Sequence, residues 1–281
     1  MKPRNKIQPL PFVLPALFVY ILTVIIPILW SMGYSLFSWN GIGDMKFIGL
    51  ENYVRMFQDE TFREAVVNNL KFVVLGSLFQ LCAGLILAIL LTHISKGGNI
   101  LRVIYFIPCI ISSMAICQIF SKMLSVQPQG LVCYVMEKLG MEPIALLANS
   151  HTALITITLI DGYKYCGLYM IIFYSAFVSI SKDVIEASTM DGCNVFQQYR
   201  YIKLPLVKNI FSIVIVMLVN GCLKTFDVFY ILDNKSRSTE MVATYMYKTA
   251  FNSAVFLVIE CLVAVGIIQK CLGSAKGDGS E

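Results

Sequence analysis

Long apolar runs separated by short polar stretches constrain this 281-residue chain more than any other feature. Leu10 to about Phe37, Val67 to Thr92, Leu101 to about Leu124, His151 to Ile180, about Val207 to Leu232 and a core around Ala254 to Leu272 are each long enough to cross a bilayer. A hydrocarbon layer ~30 Å thick needs about 20 helical residues. It offers the backbone no water, so each run has to satisfy its own N–H and C=O groups, as a helix does. Composition agrees: 57% of the residues are hydrophobic and 14% charged, against about 25% charged in a soluble domain. The expected fold is all-α, a polytopic integral membrane protein with six transmembrane helices. It reads as one transmembrane domain over 1–281 with its core at about 67–272.

The polar stretches orient the spans. Lys2, Arg4 and Lys6 precede the first run, which is too long for the core of a signal peptide and reads as a retained helix with its N-terminus inside. Pro11, Pro15 and Pro27 should kink it or mark its first turn. The stretch 38–66 mixes acids and bases and belongs outside. Lys96 and Arg102 mark the next inner loop, and Lys182, Arg200, Lys203 and Lys208 the following one; Lys270 stands at the end of the last run and Lys276 follows it. This basic bias puts both termini in the cytoplasm. Pro108 interrupts the third run, and 130–139 has the pattern of an amphipathic helix lying on a surface.

Several functions are excluded by what the sequence lacks. Most of the nine cysteines lie inside apolar runs, so they form no disulfide framework. No C-x-x-C pair has zinc spacing, and the basic residues lack the aromatic interleaving of a nucleic-acid face. There is no G-x-x-x-x-G-K-[ST] phosphate loop, so this chain is expected to hydrolyse no nucleotide.

One polar stretch is too ordered to be a linker. In Ser181 to Leu206, SKDVIEASTMDGCNVFQQYRYIKLPL, Ser181 can cap a short helix at Lys182 to Met190, and Asp191-Gly192 supplies the turn that stops it. A second helix can begin at Asn194, with Val195, Tyr199 and Ile202 on one face. Leu204-Pro205 then leads into the next run, with proline near a helix start.

The spacing Glu186-Ala187-Ser188, Gly192, Ile202-x-Leu204-Pro205 resembles the EAA loop of permease subunits in binding-protein-dependent ABC importers. The stretches FIGLENYVRMFQDETFREAVVNNLKF (47–72), LKTFDVFYIL (223–232) and ATYMYKTAF (243–251) resemble the maltose and glycerol-phosphate type, in particular its first permease subunit. The resemblance covers nearly the whole chain. It implies a cell-membrane sugar-import permease paired with a second homologous permease, two cytoplasmic ATPase subunits and an extracellular solute-binding protein, all embedded in membrane lipid. It implies no cofactor in this chain, with ATP and Mg bound by the ATPases. Glu186, Ala187, Asp191, Gly192, Leu204 and Pro205 would form the ATPase-coupling set in a cytoplasmic loop spanning 181–206. Ser188 stands where the motif has alanine, Ser181 where relatives often have proline, and DNKSRS at 233–238 where they often have a glycine-rich turn.

Charges inside the runs suggest a path. Asp161 and Lys164 are three apart on the fourth span, as are Lys224 and Asp227 on the fifth, so each pair can share a helix face and partly neutralise itself. With Tyr165 and Asn220 they are expected to line a hydrated route, where carboxylates and amides bond sugar hydroxyls and aromatic rings stack on apolar sugar faces. Glu260 has no local cation and so needs Lys164, Lys224, a lumenal water or a partner subunit. Two other readings remain: Asp161, Lys164 and Glu260 as the ion relay of a self-sufficient secondary carrier or channel, or the polar groups as packing contacts with a partner permease.

Overall fold

The structure is a computed structural model that describes residues 10–39, 43–94, 96–232 and 237–249, with positions 263, 266 and 270. Apart from those three positions the expected sixth span, Glu260 included, and residues 233–236 of the DNKSRS turn lie outside the described residues.

The first run is a helix in two parts, α1 (Leu10–Tyr20) and α2 (Ile26–Tyr34), joined by a π turn at Ile21–Ile25. Pro27 has no N–H to give the carbonyl of Thr23, so the chain closes the wider Ile26-to-Ile21 bond just before it. A two-residue antiparallel pair, β1 (Phe37–Ser38) with β2 (Lys46–Phe47), is the one departure from an all-helical fold among the described residues. Helix α3 (Glu51–Gln58) follows.

Helix α4 (Glu60–Thr92) starts seven residues before the expected span, because Asp59 caps it by accepting from the Thr61 N–H at 2.8 Å. The third run does not cross as one helix. It breaks into α5 (Gly98–Ile110) and α6 (Ser113–Met123), bent by 95° at the extended residues Ile111 and Ser112. Helix α7 (Leu131–Lys138) forms where an amphipathic helix is expected, with Cys133 buried, and α8 (Ala153–Val178) covers the expected fourth span. The fifth run also breaks, into α12 (Lys208–Leu223) and α13 (Asp227–Ile231), and α14 (Val242–Thr249) follows. Among the described residues three helices are long and apolar enough to cross a membrane, or up to five if each bent pair counts as one span.

Helices α4 and α8 form the spine, and small residues let them approach. A methyl group on Gly84 would lie 2.9 Å from Cβ of Tyr169, one on Gly162 would strike the Phe79 ring, and one on Gly167 would strike the Tyr105 carbonyl of α5. Without a hydrophobic drive between helices in lipid, such close backbone contact is what packs them. Two apolar clusters divide the interior. One contains Phe72, Ile157, Ile160 and Phe229; the other contains Ala88, Met170, Phe173 and Leu218. Between them lies a polar layer at Gln80, Asp161 and Lys164.

Candidate functional site

A cavity of about 290 Å³ opens in this polar layer, between α4, the start of α6, α8 and the break in the fifth run. The two breaks belong to it. Ser113 begins α6 at its wall, and the non-helical residues Lys224, Thr225 and Phe226 form another side. Irregular backbone at membrane depth is tolerable only where protein or a water-filled space can meet its polar groups, so the breaks and the cavity require one another.

Of the residues expected to line a path, Asp161, Tyr165, Lys224 and Asp227 border the cavity. Lys164 lies behind Tyr165, its Nζ 4.8 Å from the ring centre. Asn220 is half-buried and outside the lining. Among the described residues no ion pair within 4.0 Å joins Asp161 to Lys164 or Lys224 to Asp227, although the Lys164 charge still acts on Asp161. Asp161, 2% exposed, instead accepts at Oδ2 from the Gln80 side-chain amide at 3.0 Å. Its Oδ1 is buried with no hydrogen-bond partner among the described residues. Lys164, 5% exposed, donates to Ser113 Oγ at 2.5 Å, and that hydroxyl donates to Asp227 Oδ2 at 3.3 Å. Gln80 and Ser113 were not singled out from sequence. Their signals were a lone amide deep in an apolar run and a serine just beyond Pro108.

Aromatic rings extend the cavity wall. Phe226 stacks on Tyr230 with ring centres 4.9 Å apart and planes 21° apart, and Tyr247 meets both rings within 5.4 Å. A wider cleft of about 970 Å³ lies at the far end of α4 and α8, bordered by Arg63, Glu64, Lys71 and His151. It is bounded partly by the exposed Arg237–Glu60 ion pair and contains none of the buried charges.

The segment 181–206 folds much as its residues dictate. Helix α9 (Lys182–Met190) leaves α8 at a 71° bend, although the Ser181 side chain makes no capping bond. Gly192, at φ 81°, makes the left-handed turn that few other residues tolerate, and the Cys193 N–H returns to Ser188 O at 3.0 Å. Asn194 and Gln197 then form a reciprocal capping box at 2.9 and 2.8 Å that opens α10 (Val195–Gln197). A π turn over Gln198–Lys203 leads into α11 (Leu204–Leu206), with Pro205 in its first turn. Glu186, Ala187, Asp191 and Gly192 are all exposed, with Met190 at 88% and Phe196 at 71%. Tyr199 is turned inward, 5% exposed.

This arrangement is that of a membrane permease: helices broken around a polar mid-span cavity, with a structured, exposed loop at one end. Residues 80–272 match the family described as binding-protein-dependent transport system inner membrane component, and the chain belongs to that family. It is 31% identical over 255 residues to the probable ABC transporter permease protein YurN of Bacillus subtilis, covering 88% of this chain and 87% of that one. It is 26% identical to the arabinooligosaccharides transport system permease protein AraP of the same organism, covering 98% and 91%. Its fold superposes with a TM-score of 0.81 on a chain of the bacterial alginate ABC transporter in complex with an alginate pentasaccharide-bound periplasmic protein, at 20% identity over 93% and 91% of the two chains. The protein is thus a multi-pass inner-membrane ABC transporter permease with the type I importer fold.

Proposed function

We propose that this chain forms half of the translocation path of an ATP-driven sugar importer, with an oligosaccharide as its solute. A second homologous permease would complete the path. An extracellular binding protein would deliver the solute, and two cytoplasmic ATPases would bind ATP and Mg and carry out the hydrolysis, leaving this chain without catalytic chemistry. The observation that supports a sugar is the cavity lining. Carboxylate, amide and hydroxyl groups at Asp161, Gln80 and Thr225 face aromatic rings at Tyr165 and Phe226, which suits a ligand with polar edges and apolar faces. The unpartnered Oδ1 of Asp161 is placed to accept from a solute hydroxyl. AraP and the alginate transporter handle oligosaccharides or polysaccharides, which favours the same class.

Coupling runs through 181–206, a cytoplasmic loop in this reading. Glu186 and the exposed apolar side chains around it dock in an ATPase cleft, and α9 acts as a lever because a slack loop would lose the motion in its own entropy. Leu204-Pro205 passes that motion to the fifth span, producing alternating access. Solute-stimulated ATP hydrolysis by the reconstituted transporter tests this with Glu186→Ala and Gly192→Pro, both of which should lose stimulation. If both variants keep wild-type stimulation, the coupling role assigned to this loop is wrong.

A further inference from the structure

Tyr199 makes a connection that neither the loop's tip nor the solute cavity requires. It belongs to the π turn Gln198–Lys203, whose wider winding rotates Gln198 and Tyr199 into the protein, 8% and 5% exposed, while Arg200 and Tyr201 remain outside. Single π turns of this kind are found at functional positions, since a regular helix would be more stable there. The Tyr199 hydroxyl meets the Thr92 hydroxyl in the last turn of α4. Thr92 Oγ1 already donates to the carbonyl of Ile89 at 2.7 Å, so its proton is committed and the phenol is the donor. The result is a directed chain, Tyr199 O–H to Thr92 O–H to Ile89 C=O. It ends on one of the carbonyls that a helix C-terminus leaves without an internal partner.

The ring is held on other sides too. Phe177, in the last turn of α8, meets it edge-on at 5.4 Å and 89°, and the Lys203 ammonium sits 4.1 Å over its centre. Gln198 donates to Thr189 Oγ1 at 3.0 Å, joining the second arm of the loop to α9. Two adjacent side chains, Gln198 and Tyr199, therefore connect the helix proposed to receive the ATPase to the ends of α4 and α8. Those are the two helices that carry Gln80 and Asp161 into the cavity.

We propose that Tyr199 is a positioning residue for transport: through Thr92 it delivers the loop's displacement to α4 and α8, in addition to the path through Leu204-Pro205 into the fifth span. This rests on the reading of 181–206 as the ATPase-coupling loop. A bond between two hydroxyls suits the task because it is directional and short-ranged, so the two elements move together or the bond breaks.

The test reads cavity opening without needing to know the solute. The transporter, assembled from this chain and the subunits encoded with it, is treated with N-ethylmaleimide with and without a non-hydrolysable ATP analogue. Alkylation of Cys222, which borders the cavity, is quantified by mass spectrometry. The wild type should show a nucleotide-dependent change. Tyr199→Phe and Thr92→Val should each shrink that change about fivefold, the size expected for one lost hydrogen bond. The double variant should be no worse than either single, because both remove the same bond. Thr92→Ser should preserve the change, and ATPase co-purification and Cys222 labelling without nucleotide should match wild type in every variant. A full-sized change in both single variants, or additive losses in the double, would overturn the role of Tyr199. A wild type with no nucleotide-dependent change would instead overturn the alternating-access reading on which it rests.

Discussion

At the scale of single residues, the balance at Asp161 sets the tone. A carboxylate at 2% exposure inside a membrane span is tolerable only if its oxygens find donors, and Gln80 supplies one of them. Replacing Gln80 by leucine keeps the bulk and removes the donor, so stability should fall by about 1–3 kcal/mol, the usual penalty for stranding a buried polar group. A lowered thermal midpoint of the purified permease would show it. Gly167 poses the opposite problem, since a Cβ there meets the Tyr105 backbone carbonyl, which cannot swing aside as a side chain end can. Gly167→Ala should therefore cost about 1–3 kcal/mol through overpacking between α8 and α5. In the same thermal assay Gly221→Ala, where a Cβ meets nothing within 4 Å, should stay close to wild type.

At the scale of elements, the short helix α14 illustrates how a contact between helices responds to pH. Tyr245 of α14 donates to Asp59 Oδ2 at 2.7 Å, at the cap of α4. That phenol hydrogen bond, opposed by some burial and aided by the Thr61 N–H, holds the Asp59 carboxyl below its ordinary value of 3.8. Burial and the neighbouring carboxylate push the Tyr245 phenol the other way, upward. Because the folded value of Asp59 is lowered, its contribution is complete above the unfolded value and is lost as pH falls through the folded one. Asp59 is largely solvated, so the effect is local. Hydrogen exchange of the 242–249 amides, corrected for intrinsic rates, should be faster in Tyr245→Phe than in wild type at neutral pH. The gap should close as the pH is taken below about 4. The elements also show where pattern reading succeeded. Helix α9 occupies Lys182–Met190 and stops at the Asp191-Gly192 turn as that local signal predicts, although the Ser181 side chain makes no capping bond. Pro108 marks an interruption in the third run, but neither the size of the 95° bend beyond it nor the break at Lys224–Phe226 is legible, because an apolar run looks the same whether its backbone crosses straight or turns to wall a cavity.

At the scale of the whole molecule, the site and the loop sit at different depths of one spine. Substitutions at each should separate kinetically. Lys224 borders the cavity without an ion-pair partner among the described residues, so in the sugar-importer reading it contacts the solute. Lys224→Gln should raise the solute concentration for half-maximal uptake roughly tenfold, the scale of one lost hydrogen bond to a charged group, with smaller change in maximal rate. Glu186→Ala should do the reverse, lowering the maximal rate with little effect on half-saturation. Radiolabelled uptake in vesicles distinguishes the two. The apolar runs, the basic bias of the loops and the spacing around Gly192 were enough to specify a helical membrane protein with a structured loop, because hydrocarbon thickness, backbone satisfaction and turn chemistry all act along the chain. Which charges meet was decided only in three dimensions. Asp161 turns to Gln80, 81 positions away, Lys164 reaches Asp227 through Ser113, and Tyr199 closes on Thr92, because each bond depends on how close glycine-lined helices bring distant segments, and no local pattern encodes that distance.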